Sequence, residues 1–361
     1  DEDYAKRRMR WEPLYEITQM KGDGEAHPLL SPEDEFADFE TWDKGGINSP
    51  VPKEADMLPR EYARAAFKRG LAYEAKLGTN PFKFGVVGST DTHTALSTTD
   101  ESQYFGKITV LEPSAKEDRM HEVVAGRNNP EGKDIEVEAW QVASAGLAAV
   151  WARENTREAL WDAMKRKEVY ATTGTRMRVR TFAGFDFVEG DQHRPQFTKY
   201  CYEHGVPMGG DLKPAPEGKA PVLVIQAMKD ANNANLDRVQ VIKGWIDADG
   251  RQHERIHDVA VSDGRKIDAD GRCKVPVGST VDAKGATYAN SLGAVALDAV
   301  WKDPDFDPGL RAFYYVRVLE IPTPRWTTYD VKFFGVELPK SAPTEIQERA
   351  YTSPIWYHPT D

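Results

Sequence analysis

Phe82-Lys83-Phe84-Gly85-Val86-Val87-Gly88-Ser89-Thr90-Asp91-Thr92-His93 is the stretch on which the reading of this chain turns. Its apolar part, 82–88, is short and β-branched at the centre, which predicts a buried strand. Just past that strand stand Asp91 and His93. Side chains two positions apart point to the same side of an extended chain, so a carboxylate and an imidazole there can reach one cation. In many loops the same pair serves as a hydrogen-bonded cap on a turn.

Working outward, the run from Pro59 sets Ala63, Ala66, Phe67, Gly70 and Leu71 at helical spacing, and Gly78 with Asn80-Pro81 closes it. A helix followed at once by a buried strand is the βα unit of a parallel or barrel sheet. Residues 11–18 alternate enough to form an earlier strand. Ser31-Pro32-Glu33-Asp34 then has the cap, proline and first-turn acids of a helix start. Asn155 and Glu158 have capping-box spacing for another helix, with Leu160, Ala163 and Met164 on its apolar face, leading to strands at 169–174 and 177–182. Between these units, residues 95–134 are polar and rich in Gly and Asn, which predicts a long loop of the lid or substrate-binding kind. From about residue 190 the texture changes to short β-rich runs, 221–227, 239–245 and 313–319, separated by turn dipeptides such as Asp249-Gly250 and Asp270-Gly271. That spacing predicts an antiparallel sandwich. Asp247-Ala248-Asp249-Gly250 lacks the later Glu of a calcium loop and reads as a hairpin turn.

A chain of 361 residues holds two domains, or one with a large elaboration, and buries a sizeable core. With 47 Lys+Arg against 58 Asp+Glu, and no basic run longer than Lys6-Arg7-Arg8-Met9-Arg10, nucleic-acid binding is disfavoured, because neutralising a phosphate backbone needs clustered positive charge. Uninterrupted apolar stretches fall well short of the roughly 20 residues of a membrane span. Cys201 and Cys273 have no zinc or redox spacing and are expected as two free thiols.

Gly88-Ser89-Thr90-Asp91-Thr92-His93-Thr94 resembles the Gly/Ser-Ser-Asp-Ala-His signature of the polymerase and histidinol phosphatase (PHP) superfamily, and Leu14-Tyr15-Glu16-Ile17-Thr18 is similar to its strand-borne glutamate. Longer stretches carry a closer resemblance: 15–23, 31–37, Trp151-Ala152-Arg153-Glu154-Asn155-Thr156-Arg157, and Gln347-Glu348-Arg349-Ala350-Tyr351-Thr352-Ser353-Pro354-Ile355-Trp356. Together they resemble the bacterial domain of unknown function 3604, a PHP-like group akin to carbaryl-hydrolase-type metallohydrolases. The resemblance implies an α/β fold: a distorted (β/α)7 PHP-like barrel, incomplete in this chain, over residues 1–185, with a C-terminal antiparallel β-sandwich over 186–361. PHP proteins open on a His-x-His strand that this chain lacks. The expectation is therefore that an N-terminal segment of the same protein supplies the missing histidines. An extracytoplasmic location is favoured by the resemblance alone.

On that resemblance Glu16, Asp91 and His93 are the expected metal ligands, holding two or three divalent ions (zinc, manganese or iron) that activate a bridging hydroxide against a small-molecule ester, a phosphoester foremost. Carboxyl ester, carbamate and sulfate ester substrates share this chemistry. Lys21, Glu25 and His27 follow the Glu16 strand and are candidate catalytic residues, as extra ligands, general acid or cationic clamp; a surface turn is the competing reading. Arg153 is the candidate substrate-binding residue, able to fork onto a phosphate or carboxylate, or else to pair with Glu154 or Glu158. The alternative function is a non-catalytic envelope or glycan-binding scaffold with a vestigial metal site.

Overall fold

The computed structural model describes residues 1–45, 51–126 and 135–359. Helix α1 (Glu2–Trp11) precedes β1 (Leu14–Gln19), which turns back into β2 (Gly22–Asp23). Gly22 has φ 105°, and a Cβ there would lie 2.6 Å from the Glu40 carbonyl oxygen, so only glycine fits this turn. The predicted helix is α2 (Ala63–Leu77), ended by Gly78 in the left-handed conformation, and β3 (Gly85–Gly88) follows. β1 and β3 pair in parallel, Leu14 opposite Gly85 and Thr18 opposite Gly88, so β1, α2 and β3 make the expected βαβ unit.

Beyond it come α3 (Asp118–His121), β4 (Val123–Ala125), β5 (Val137–Glu138), β6 (Leu147–Val150), α4 (Arg157–Lys165), β7 (Val169–Thr172), β8 (Arg178–Gly184) and α5 (Phe197–His204). The predicted loop 95–134 holds short helical turns and β4 up to Gly126; residues 127–134 lie outside the described residues. The remainder is β-rich: β9 (Gly205–Pro207), β10 (Asp211–Leu212), β11 (Val222–Met228), β12 (Leu236–Ile246), β13 (Gln252–Val261), β14 (Ala296–Lys302), β15 (Ala312–Glu320), β16 (Thr323–Pro324), α6 (Trp326–Phe334), β17 (Glu345–Ile346), β18 (Arg349–Thr352) and β19 (Ile355–Tyr357).

Three layers result. The large sheet runs β10-β19-β15-β18-β7-β6, with β12 on the other edge of β15 and β13 beyond it; the small sheet runs β14-β11-β8-β9. Alternation along the two central strands decides what each face meets. Val239, Val241, Tyr314, Val316 and Val318 pack against Val179, Leu223 and Ile225 of the small sheet, forming the sandwich core. Ile242, Ile246, Phe313 and Tyr315 face the other way, onto Phe67 and Leu71 of α2. Trp356 is fully buried there, its ring 5.8 Å edge-on from Phe67. Buried on both faces, β15 has no solvent side.

Several expectations change here. The strands β2-β1-β3 form a sheet of three; the resemblance implies a barrel incomplete in this chain, and among the described residues no closed ring is present. A division at 185/186 cuts across both sheets, because β7 joins the large sheet through β18, and β8 pairs with β11 over its whole length. Thr156, rather than Asn155, caps α4, accepting from the Ala159 N–H. Ser31–Asp34 starts no helix. Asp34 is instead drawn into a buried ion network, where Arg317 Nη2 reaches its Oδ1 at 2.6 Å and Arg64 Nη2 its Oδ2 at 2.7 Å. Cys201 and Cys273 are both free and buried, as expected, and among the described residues no helix is long and apolar enough to cross a membrane.

Near the end of β15 the core holds a second set of buried carboxyl groups. Glu320 is fully buried and neither carboxylate oxygen has a hydrogen-bond partner; burial pushes its carboxyl up to about 8. Glu101 and Glu348 share with it a void of about 30 Å³, and burial raises them also, Glu101 to about 7. Carboxyls that hold their protons in the folded state stabilise it fully below the ordinary glutamate range, and that contribution is lost as pH rises through the folded-state value. Thermal unfolding should therefore show stability falling from about pH 4.5 to about pH 8, with a smaller fall in Glu320→Gln; equal falls in both proteins would count against this account. In the ion network, Arg317→Met leaves Glu25 and Asp34 sharing Arg64 as their remaining guanidinium and should lower unfolding free energy by roughly 3–5 kcal/mol, read from urea titrations.

Candidate active site

Parallel β1 and β3 end side by side, and the chain leaves both at one rim. The Ser89 N–H donates to the Thr18 carbonyl at 3.1 Å, sealing the pair beyond Gly88. Gly88 is glycine because β6 and β7 press on it: a Cβ there would meet Leu147 N and Thr172 O at 2.8 Å. Three residues on, Asp91 takes φ 52°, a left-handed conformation that a non-glycine residue adopts only when its surroundings hold it.

Those surroundings are cationic. Lys21, from the β1–β2 turn, donates to Asp91 Oδ2, and Lys107 reaches the same oxygen at 2.6 Å while also bonding the Asp91 carbonyl oxygen. His93 Nε2 lies 3.3 Å from Asp91 Oδ1 and 3.1 Å from Lys107 Nζ. A ring protonated at Nε2 donates to Asp91; one bare there accepts from Lys107. The two expected ligands of the Asp-x-His motif thus face one point, and that point is filled by an ammonium. Partial burial works to raise the Asp91 carboxyl, but hydrogen bonds and charge from Lys107 and Lys21 outweigh it and bring it down to about 2. Burial lowers the Lys107 ammonium, against the pull of Asp91.

Glu16, the third expected ligand, stands earlier on β1, opposite Val87. One of its oxygens accepts from the Ser89 hydroxyl and the other from Gln19 Nε2 at 2.9 Å, so it is joined to the rim through Ser89. Among the described residues no group of three or more His, Cys, Asp or Glu side chains is placed to hold a metal ion.

Of the three expected catalytic residues only Lys21 reaches this rim. Glu25 is buried in the ion network, bonded to Arg64, Tyr315 and Arg317, and closed to a substrate. Its burial follows from two arginines, Arg64 on α2 and Arg317 on β15, which a carboxylate in a polar loop cannot reveal from sequence. His27 is buried too, accepting at Nδ1 from the Leu29 N–H and lying 3.1 Å from Asp43 at Nε2, and this is the turn-forming role. Arg153 lies elsewhere again. β6 meets the rim at Leu147, whereas Trp151 N, past its far end, donates to the Glu168 carbonyl, so Arg153 stands at the opposite end of the β6–β7 ladder.

Beside Glu16 and Lys21 opens a cleft of about 590 Å³, with Tyr15, Trp42 and Tyr62 among its walls. Asp23 lines it too. Burial first, and the neighbouring Glu25 charge second, push the Asp23 carboxyl up to about 7; Oδ1 accepts from the Glu25 N–H while Oδ2 has no partner. Lys107 and Asp23 went unread in the sequence. Asp23 sits between glycines like any turn residue, and Lys107 arrives from a loop with no local signal.

No curated protein and no solved structure matches the chain. The profile of the family described as "Protein of unknown function (DUF3604)" matches residues 1–359, and the chain belongs to that family.

Proposed function

We propose that the rim of β1 and β3 is the reaction site of a metal-dependent hydrolase acting on small-molecule esters, phosphoesters foremost. The observation that carries this reading is the convergence of Asp91 Oδ2, the Asp91 carbonyl oxygen and His93 Nε2 on one cationic position, taken up by the Lys107 ammonium. Oxygen and nitrogen donors around a cation suit zinc, manganese or iron. Asp91, ionised above about pH 2, and the His93 imidazole would hold such an ion once Lys107 swings aside. They fit as part of a ligand set rather than a closed one, since Glu16 is tied to Ser89 and Gln19. Bound there, the ion supplies a water of lowered pKa and positive charge for a developing oxyanion. The likeness of Gly88–Thr94 to the PHP signature supports the same reading.

The chain's own residues do the rest. Lys21 and Lys107 are two ammonium groups beside one carboxylate, and a released Lys107 pairs with a phosphoryl oxygen. Tyr15, Trp42 and Tyr62 give the adjoining cleft an apolar wall for the organic part of the ester. Asp23, holding its proton near neutral pH in that cleft, is suited to protonate a leaving alkoxide.

Two measurements test the proposal. Purified protein should contain divalent metal and cleave chromogenic phosphoesters, with Asp91→Ala losing both by roughly a hundredfold in rate; intact, active protein free of metal would remove the proposal, and metal without turnover would favour the binding-scaffold alternative. If Asp23 is the proton donor, kcat falls as pH rises through about 7, and Asp23→Asn loses that limb and roughly a hundredfold of rate. An unchanged pH profile in Asp23→Asn would assign the proton elsewhere.

A further inference from the structure

At the far end of the β6–β7 ladder lies a cavity of about 780 Å³, walled by the end of β6, the turn before β7, β8 and α5. The whole chain carries a net charge of −11, yet Arg153, Arg166, Arg180 and Lys199 line this cavity against only Glu168 and Glu203. Glu168 is already spent. Its side chain is buried, 3.1 Å from Arg180 and 3.4 Å from Arg166, and it accepts from the Tyr202 hydroxyl. Arg153 and Lys199 are exposed and make no ion pair or side-chain hydrogen bond among the described residues. Like charges kept at one cavity without counter-charge favour an incoming anion.

The wall is also built to take a flat apolar body. The Arg180 guanidinium stands 4.3 Å over the Trp151 ring and 5.5 Å from that of Tyr202, and its Nη2 bonds the Tyr202 hydroxyl at 2.8 Å. Trp151 is itself pinned by Nε1 donating to the Val179 carbonyl at 2.9 Å. These contacts hold the Arg180 guanidinium in one orientation through Nη2, and Nε and Nη1, which make no hydrogen bond among the described residues, are left to donate singly to a ligand. The volume is that of an ordinary small-molecule site.

We propose that this cavity binds a small organic anion with an aromatic body, its acidic head on Arg153, Lys199 and Arg180 and its ring against Trp151 and Tyr202. The site is separate from the rim at Asp91 and stands whether or not that rim hydrolyses esters.

Calorimetric titration with naphthalene-2-sulfonate, 2-naphthol and inorganic sulfate tests it. The sulfonate should bind about tenfold more tightly than either comparison, and Arg153→Ala/Lys199→Ala should weaken it by about tenfold. Both substituted residues are exposed, so the variant keeps the fold. Asp91→Ala should bind the sulfonate as wild type does, which separates this site from the rim. Equal affinity for 2-naphthol, equal affinity for sulfate, unchanged binding in the double variant or loss of binding in Asp91→Ala would each overturn the proposal.

Discussion

Two arginines and two carboxylates, buried together, tie the parallel unit to the large sheet. Arg64 comes from α2 and Arg317 from β15, while Glu25 and Asp34 come from the long connection between β2 and α2. Desolvating four charges is costly, and only their mutual geometry offsets it. Gln240 on Arg317 Nε and the Tyr315 hydroxyl on Arg64 Nε complete the bonding. Because the connection is pinned at residues 25 and 34, the β1–β2 turn before it is held as well, and with it Lys21 and Asp23. The buried Glu25 charge contributes to raising the Asp23 carboxyl, so the same network that stabilises the fold also tunes a group in the candidate cleft.

What could be read locally in the sequence is what depends on neighbours in the chain. α2 follows from the 3.6-residue spacing of Ala63, Phe67, Gly70 and Leu71, and β3 from the run ending at Gly88, while Asp91 and His93 lie two apart. The sandwich strands β11, β12 and β15 were legible as apolar β-rich runs. What stayed hidden depends on partners far along the chain. Asp34 resembles a first-turn acid until Arg317, 283 residues away, claims it. Glu25 and His27 have the residue types of a catalytic loop, but side-chain type says nothing of burial. Arg153 has the right chemistry for an anion, and only the register of β6 against β7 shows that it cannot share the rim with Asp91.

The two ends of one short hairpin therefore carry different chemistry. At the rim, cations gather around a carboxylate that never loses its charge near neutral pH. At the other end, cations outnumber their counter-charges and stand against aromatic rings. Trp151 and Gly146 bound β6 on either side, and β7 runs the four residues between them in reverse. The family shared by residues 1–359 thus spans both places.

The position of β18 and β19 in the large sheet bears on how the molecule is made. These strands, 349–357, line one edge of β15 and bring in β7 and β10, which precede them by more than a hundred residues. During synthesis the β6–β7 hairpin thus has no seat on the sheet until the ribosome has delivered residues near 352. Pairing across such long sequence separations is slow and leaves apolar strand edges bare in the meantime. Nascent chains of this protein are accordingly expected to lean on chaperones until the final strands arrive.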